Sequence, residues 1–219
     1  MNILVINPNT TKEMTDAIEK TARANAAADT QLTFLTPQEG PRAIENSYDA
    51  AIAAFHTLEL IRKNENKFDA FIIACGSDPG VGAARQITRK PVAGIGESAM
   101  MTACSLAGKF SVISPAVPGG TGGTWDGVYA LGLEKRCVSV RCIGKGVLDG
   151  FFIENDELVE MLYQAGKQAV DEDGARALML LCAGMTGSKA ILEKRLKVPV
   201  VDGVISALKT VEQFPTPRG

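Results

Sequence analysis

The chain has 219 residues, 46% of them hydrophobic and 22% charged, with a formal net charge of −2. That length can bury a core as one large domain or two small lobes, and the near-average composition excludes extended disorder. Charges of both signs are mixed, without a basic stripe or an apolar run beyond strand length, which excludes nucleic acid as a partner and a transmembrane helix.

Apolar runs predict strands over residues 3–6, 31–35, 70–74, 92–95, 110–114, 138–142, 177–181 and 200–201. Their hydrophobicity is continuous rather than alternating, as in parallel strands covered on both faces. Helical patterns fit between them. Thr10-Thr11-Lys12-Glu13 has the form of a capping box, with Met14, Ala17, Ile18 and Ala22 following at helical spacing. Ala50, Ala51, Ala54, Phe55, Leu58 and Ile61 predict a second apolar stripe. Farther on, Asn155 or Asp156 would cap a helix that buries Leu158, Met161, Leu162, Ala165 and Ala169. The fold class expected is α/β, with two pseudo-symmetric doubly wound lobes, each a four-stranded mainly parallel sheet flanked by helices. Residues 1–97 plus 203–219 form the first lobe and residues 98–202 the second, with the site in the cleft between them. No charged-then-apolar leader precedes the first strand, so a cytoplasmic location is expected, with the five cysteines as thiols.

An internal repeat sharpens this reading. Ile6-Asn7-Pro8 returns as Ile113-Ser114-Pro115, 107 positions on, and Cys75 returns as Cys182 at the same interval. Lys90-Pro91-Val92 returns as Lys197-Val198-Pro199-Val200 with one residue inserted. Each cysteine closes an apolar strand and is followed by a small, flexible turn: Gly76-Ser77-Asp78-Pro79-Gly80 and Ala183-Gly184-Met185-Thr186-Gly187.

Ligands of open parallel sheets bind beyond the carboxyl ends of the strands. Cys75, Cys182, Asn7 and Ser114 all fall at such ends. Backbone N–H groups at a helix start there would favour an anion, whether a thiolate, an enolate oxygen or a ligand carboxylate, and such a start can lower a thiol pKa. One thiolate would then remove a proton while the opposite thiol supplies one from the other face. The bland reading of a cysteine ending an apolar strand is a small core residue, but two at equivalent positions weigh against it.

The other chemistry-bearing residues are weaker candidates. Cys104, Cys137 and Cys142 read as structural, and the absence of CxxC spacing points to no metal. The single histidine, His56, is expected as a partly exposed helical residue without a catalytic partner. Residues 118–124, rich in glycine and including Thr121, lack a nucleotide-binding frame; they read equally as a lid at the mouth of the site or a plain linker. Glu97 is expected either to orient groups in the cleft or to sit as a carboxylate at a helix start. The tail 215–219 reads as disordered.

Ile6-Asn7-Pro8-Asn9-Thr10-Thr11 with Met14-Thr15 resembles the opening of hydantoin racemases, in the aspartate/glutamate/hydantoin racemase superfamily. Ala74-Cys75-Gly76-Ser77-Asp78-Pro79-Gly80 resembles their first cysteine motif, and Cys182-Ala183-Gly184-Met185 their second. Pro199-Val200-Val201-Asp202-Gly203-Val204, Gly94-Ile95-Gly96-Glu97-Ser98-Ala99-Met100 and Gly40-Pro41-Arg42-Ala43-Ile44-Glu45 also fit, so the resemblance covers nearly the whole chain.

The resemblance implies a racemase of 5-substituted hydantoins or allantoin that needs no pyridoxal phosphate or other cofactor, is homo-oligomeric, and acts on a small molecule. Carried onto this sequence, Cys75 and Cys182 become the acid/base pair. Asn7, Gly76, Ser77, Ala183 and Gly184 lie near the ring carbonyls, with Ser114 and Thr121 also in the substrate-binding set. Gly76 stands where a bulky aromatic is common, and the 115–124 segment differs from the usual threonine-rich one, which bears on the substrate more than on the mechanism. Other members of the superfamily are amino-acid racemases, a maleate isomerase and a malonate-type decarboxylase. A non-catalytic binding protein on the same fold is the remaining alternative.

Overall fold

The computed structural model of the chain describes residues 1–117 and 120–214. Residues 118–119 of the expected lid or linker, and the tail 215–219, lie outside the described residues. The strands β1 (Asn2–Ile6), β2 (Gln31–Leu35), β3 (Ala70–Ile73) and β4 (Val92–Gly94) form one parallel sheet in the order β2-β1-β3-β4. A second parallel sheet, β6-β5-β7-β8, consists of β5 (Phe110–Ser114), β6 (Cys137–Cys142), β7 (Ala177–Leu180) and β8 (Val200–Asp202). The helices are α1 (Lys12–Asn25), α2 (Ser47–Asn64), α3 (Val81–Ile87), α4 (Ile95–Ala107), α5 (Gly122–Ala130), α6 (Val147–Phe151), α7 (Asn155–Asp171), α8 (Lys189–Leu196) and α9 (Gly203–Glu212). Among the described residues, no helix is long and apolar enough to cross a membrane.

The sequence repeat is a repeat of hydrogen-bond register. Ile3 pairs with Ala70 and Ile6 with Ile73 in the first sheet; Phe110 pairs with Ala177 and Ile113 with Leu180 in the second. All four pairs are related by the same 107-residue shift. The match continues past the strands. The Ala74 amide donates to the Ile6 carbonyl (2.8 Å) and the Leu181 amide to that of Ile113 (3.0 Å). Both cysteine carbonyls then accept the amide three residues on, from Asp78 and from Met185, at 3.0 Å. The inserted residue is absorbed before the last strand, where Gly94 opposite Ile73 becomes Asp202 opposite Leu180.

Two helices exchange sheets. Val204, Ala207, Leu208 and Val211 of α9 pack with Ile3, Val5 and Ile72 on the first sheet. Ala99, Met100 and Ala103 of α4 pack with Phe110, Val112 and Met179 on the second. Each fully buried Ile, Leu or Phe in these layers contributes roughly 1.5–3 kcal/mol by removal from water. The exchange therefore holds the sheets together through their own cores. Where the two helices start, Gly203 has no room for a side chain, because a Cβ would press on the Ile95 carbonyl.

Three local expectations change. No capping box forms at α1: its N-cap is Thr11, and the Thr10 and Thr11 hydroxyls donate instead to the Pro41 and Arg42 carbonyls (3.3 and 2.7 Å). Nearby loop carbonyls outcompete the local motif. On α2 the buried positions are Ala53, Thr57 and Ile61, with Ala51 and Phe55 exposed. The stripe of buried residues includes a threonine that a reading by apolar identity passes over. On α7 the N-cap is Glu154, without a side-chain cap, while Leu158, Leu162, Ala165 and Ala169 are buried as expected.

Candidate active site

A cavity of about 440 Å³ opens where the carboxyl ends of both sheets converge, a volume typical of small-molecule sites. Cys75 and Cys182 both line it, each half-buried. Asn7, Gly76, Ser77, Ser114, Ala183 and Gly184 line it as well. Thr121 does not. It is the N-cap of α5, and Thr124 and Asp126 of that helix face the cavity instead. Residues 122–124, expected as loop, are the first turn of α5, where Thr124 is buried and Trp125 stacks on Tyr129.

The two cysteine loops touch through their backbones. A Cβ on Gly76 would lie on the Leu181 carbonyl oxygen and against the Leu181 side chain. The first loop is also clamped to α4. Asp78, with φ +50°, accepts the Gly96 amide (2.8 Å) and the Glu97 amide (2.6 Å) on its two carboxylate oxygens. A Cβ on Gly94 would occupy the Asp78 carboxylate position. In the second lobe Asp202 caps α9 directly, accepting the Ile205 amide (3.0 Å). The two lobes thus cap equivalent helix ends with carboxylates from different places, the turn after β3 and the end of β8.

This arrangement overturns the expectation of lowered thiol pKa values. No long helix starts at either sulfur: α3 begins only at Val81, Cys182 leads into a 3₁₀ stretch over Ala183–Ser188, and the α4 amides are taken by Asp78. Desolvation therefore dominates. It pushes Cys75 above the ordinary thiol value, with Asp78 adding to the rise and the Ser77 hydroxyl (3.4 Å from Sγ) and amide opposing it. Cys182 is pushed up to about 11 by desolvation, then by the charges of Cys75 and Glu45, against the Gly184 amide. Both thiols are held above the ordinary value, and a charge on Cys75 resists ionisation of Cys182.

The polar wall behind them is organised rather than free. The Asn7 side-chain amide donates towards Asn9 Oδ1 (2.9 Å), the Thr11 carbonyl (3.1 Å) and Thr15 Oγ1 (3.0 Å), and its Oδ1 accepts the Asn9 amide (3.3 Å). Asn7 is a scaffold for the turn. Asn9, which sequence reasoning left unassigned, lines the cavity and donates from Nδ2 to Met14 Sδ (3.2 Å), a weak acceptor. Ser114 Oγ accepts the Ala116 amide (3.2 Å).

Glu45 was also missed as a site residue, although its segment carries part of the family resemblance. It lines the cavity from the turn before α2, and its Oε1 accepts the Val147 amide of α6 across the cleft (2.7 Å). Glu97 does not line the cavity; it stands in the first turn of α4, paired with Arg85. His56 packs edge-on against Phe55, away from the cavity lining. Among the described residues no group of three or more His, Cys, Asp or Glu is placed to hold a metal ion.

The profile of the Asp/Glu/hydantoin racemase family matches residues 3–211. A hydantoin racemase from Pseudomonas sp. (strain NS671) is 45% identical over 97% of this chain and 85% of that protein. Another from Paenarthrobacter aurescens is 37% identical over 98% of this chain and 91% of its own. The solved structure of an allantoin racemase from Klebsiella pneumoniae superposes with a TM-score of 0.92 at 36% identity, covering 97% of this chain and 86% of that one. With thiols at register-equivalent strand ends lining one cleft, and likeness along almost its full length, the chain belongs to the Asp/Glu/hydantoin racemase family.

Proposed function

We propose that this racemase-family enzyme inverts C5 of 5-substituted hydantoins, allantoin among them, by proton transfer to one thiol and from the other. The observation that carries the proposal is the pairing of Cys75 and Cys182, duplicated in register and lining a single cleft. The identities to hydantoin racemases support the substrate class.

In the active form one sulfur is a thiolate and the other a thiol. The thiolate takes the C5 proton, so the C–H bond breaks as an S–H bond forms, and the electron pair moves into the C4–C5 bond with charge on the C4 oxygen. The opposite thiol then returns a proton to the other face and becomes the thiolate. Burial raises thiol pKa and so makes the thiolate a stronger base, which suits a weakly acidic carbon. Coupling between the sulfurs favours the singly ionised pair. The Ser77 and Gly184 amides favour the thiolate form of each sulfur, and Asn9 Nδ2, with one N–H on Met14 and a second to give, would serve the developing oxyanion; one such donor is worth about 3 kcal/mol in a dry site. Acid, base and oxyanion stabilisation all come from the chain, so this chemistry calls for no cofactor.

The test uses enantiopure allantoin, 5-benzylhydantoin and 5-isopropylhydantoin in D2O, following optical rotation and loss of the C5 proton signal together. Decay of rotation with matched deuterium incorporation above the spontaneous rate supports two-base racemisation. No acceleration with any of the three refutes the substrate class.

A further inference from the structure

The cleft has a polarity that the two-thiol chemistry does not use. Among the described lining residues there is no lysine, arginine or histidine, and the charged ones are Glu45 and Asp126. Depth separates the groups: Asn7 and Ser114 are buried at the floor with the half-buried thiols, whereas Glu45 and Asp126 are exposed. The carboxylates therefore mark the mouth, one from the turn before α2 and one from α5. With the ring seated at the floor and its C5 between the sulfurs, a C5 substituent that extends outward meets this rim.

Glu45 is fixed there by the Val147 amide across the cleft (2.7 Å), so its charge holds a set position. Neither Glu45 nor Asp126 enters an ion pair among the described residues. We infer that Glu45, with Asp126, is a specificity device that selects hydantoins whose C5 substituent is cationic or rich in hydrogen-bond donors and rejects those bearing a carboxylate. The reach of the Glu45 charge is visible inside the cleft, where it pushes the Cys182 thiol upward. This inference rests on the racemase reading above and adds the substituent class to it.

Three substrates of matched ring and differing charge test it: the hydantoins of arginine, citrulline and glutamate, carrying a guanidinium, a neutral urea and a carboxylate. Racemisation is followed on the full chain, with 5-benzylhydantoin as an uncharged reference. The expected order of kcat/KM is guanidinium, then urea, then carboxylate, with about tenfold or more between urea and carboxylate. Added salt should narrow the cation-to-anion ratio. Glu45→Gln keeps an oxygen for the Val147 amide and removes the charge, so the same ratio should fall about tenfold, and Asp126→Asn should lower it independently.

Equal kcat/KM for all three charges, or a ratio unmoved by salt and by both variants, overturns the inference while leaving racemisation intact. Turnover of the benzyl compound with none of the donor-bearing substrates overturns it too. If no hydantoin is racemised at all, the functional reading itself fails, and the selectivity argument falls with it.

Discussion

Gly76 and Leu181 meet where the two halves of the site join: the Leu181 carbonyl oxygen lies where a Cβ on Gly76 would have to be. One residue follows Cys75 and the other precedes Cys182, so the contact sets the separation of the two thiol-bearing loops. The obstructing atom is backbone and belongs to a strand extension hydrogen-bonded to Ile113, so it cannot swing aside as a side-chain tip would.

Gly76→Ala should therefore part the loops. The expected result is a loss of about 1–3 kcal/mol of stability, the usual cost of overpacking, with kcat reduced by about a hundredfold because the proton path lengthens. Urea unfolding and initial rates on one preparation separate the two effects. A variant with wild-type kcat would show that the separation of the loops does not govern turnover.

Cys75→Ser and Cys182→Ser should each abolish racemisation, by about a thousandfold or more, since a serine hydroxyl is a far weaker acid than a thiol and does not ionise to supply the base. Exchange of the C5 proton with D2O should survive for at most one enantiomer in each variant, and the enantiomers should differ between variants. Near-wild-type racemisation by either one would remove that sulfur from the mechanism.

The thiol environments set a pH profile. Both pKa values are raised, so the singly ionised pair becomes more populated as pH rises above the ordinary thiol range, and kcat/KM should climb with pH before the second ionisation depresses it. Cys75→Ser removes one negative neighbour, so Cys182 should titrate below about 11. Thiolate ultraviolet absorbance across the alkaline range reads this directly; an upward displacement would contradict the coupling.

Asp78 gives a stability signature of the opposite sign to most carboxylates. Its pKa is raised to about 7, chiefly by desolvation and against the pull of the Gly96 and Glu97 amides. The folded state thus holds a proton that the unfolded chain releases near pH 4, and stability should fall as pH rises from about 4 to about 7. Asp78→Asn should flatten that slope. It should also cost about 1–3 kcal/mol, because one of the two amides loses its acceptor. Chemical denaturation at several pH values measures both, and an unchanged slope would assign it to another group.

Thr57 is buried in α2 with its hydroxyl unpartnered among the described residues. Thr57→Val keeps the shape and removes the unsatisfied oxygen, so stability should rise by about 1 kcal/mol. A decrease in the urea midpoint would show that the hydroxyl has a partner.

Much of the architecture was legible from spacing alone. Continuous apolar runs identify parallel strands because both faces of such a sheet are covered, and a repeat of 107 residues must place Cys75 and Cys182 at equivalent strand ends if both halves keep one register. Short-range chemistry was less legible. The Thr10-Thr11-Lys12-Glu13 motif is local, but the carbonyls of Pro41 and Arg42 that claim its hydroxyls arrive from 31 residues away. Asn7 is placed at the cleft by its strand-end position, but only the folded turn shows that its side-chain amide is held by Asn9, Thr11 and Thr15.

The primary structure by itself determined the duplicated α/β plan and the two sulfurs, because periodicity and repeat interval are one-dimensional properties. Only the tertiary structure decided how those sulfurs behave. Their ionisation depends on what lies within a few ångströms in a desolvated cleft, and there no long helix starts at either sulfur to favour a thiolate. The same is true of Glu45, whose carboxylate reaches an amide 102 residues away and whose place at the cleft mouth no local pattern encodes.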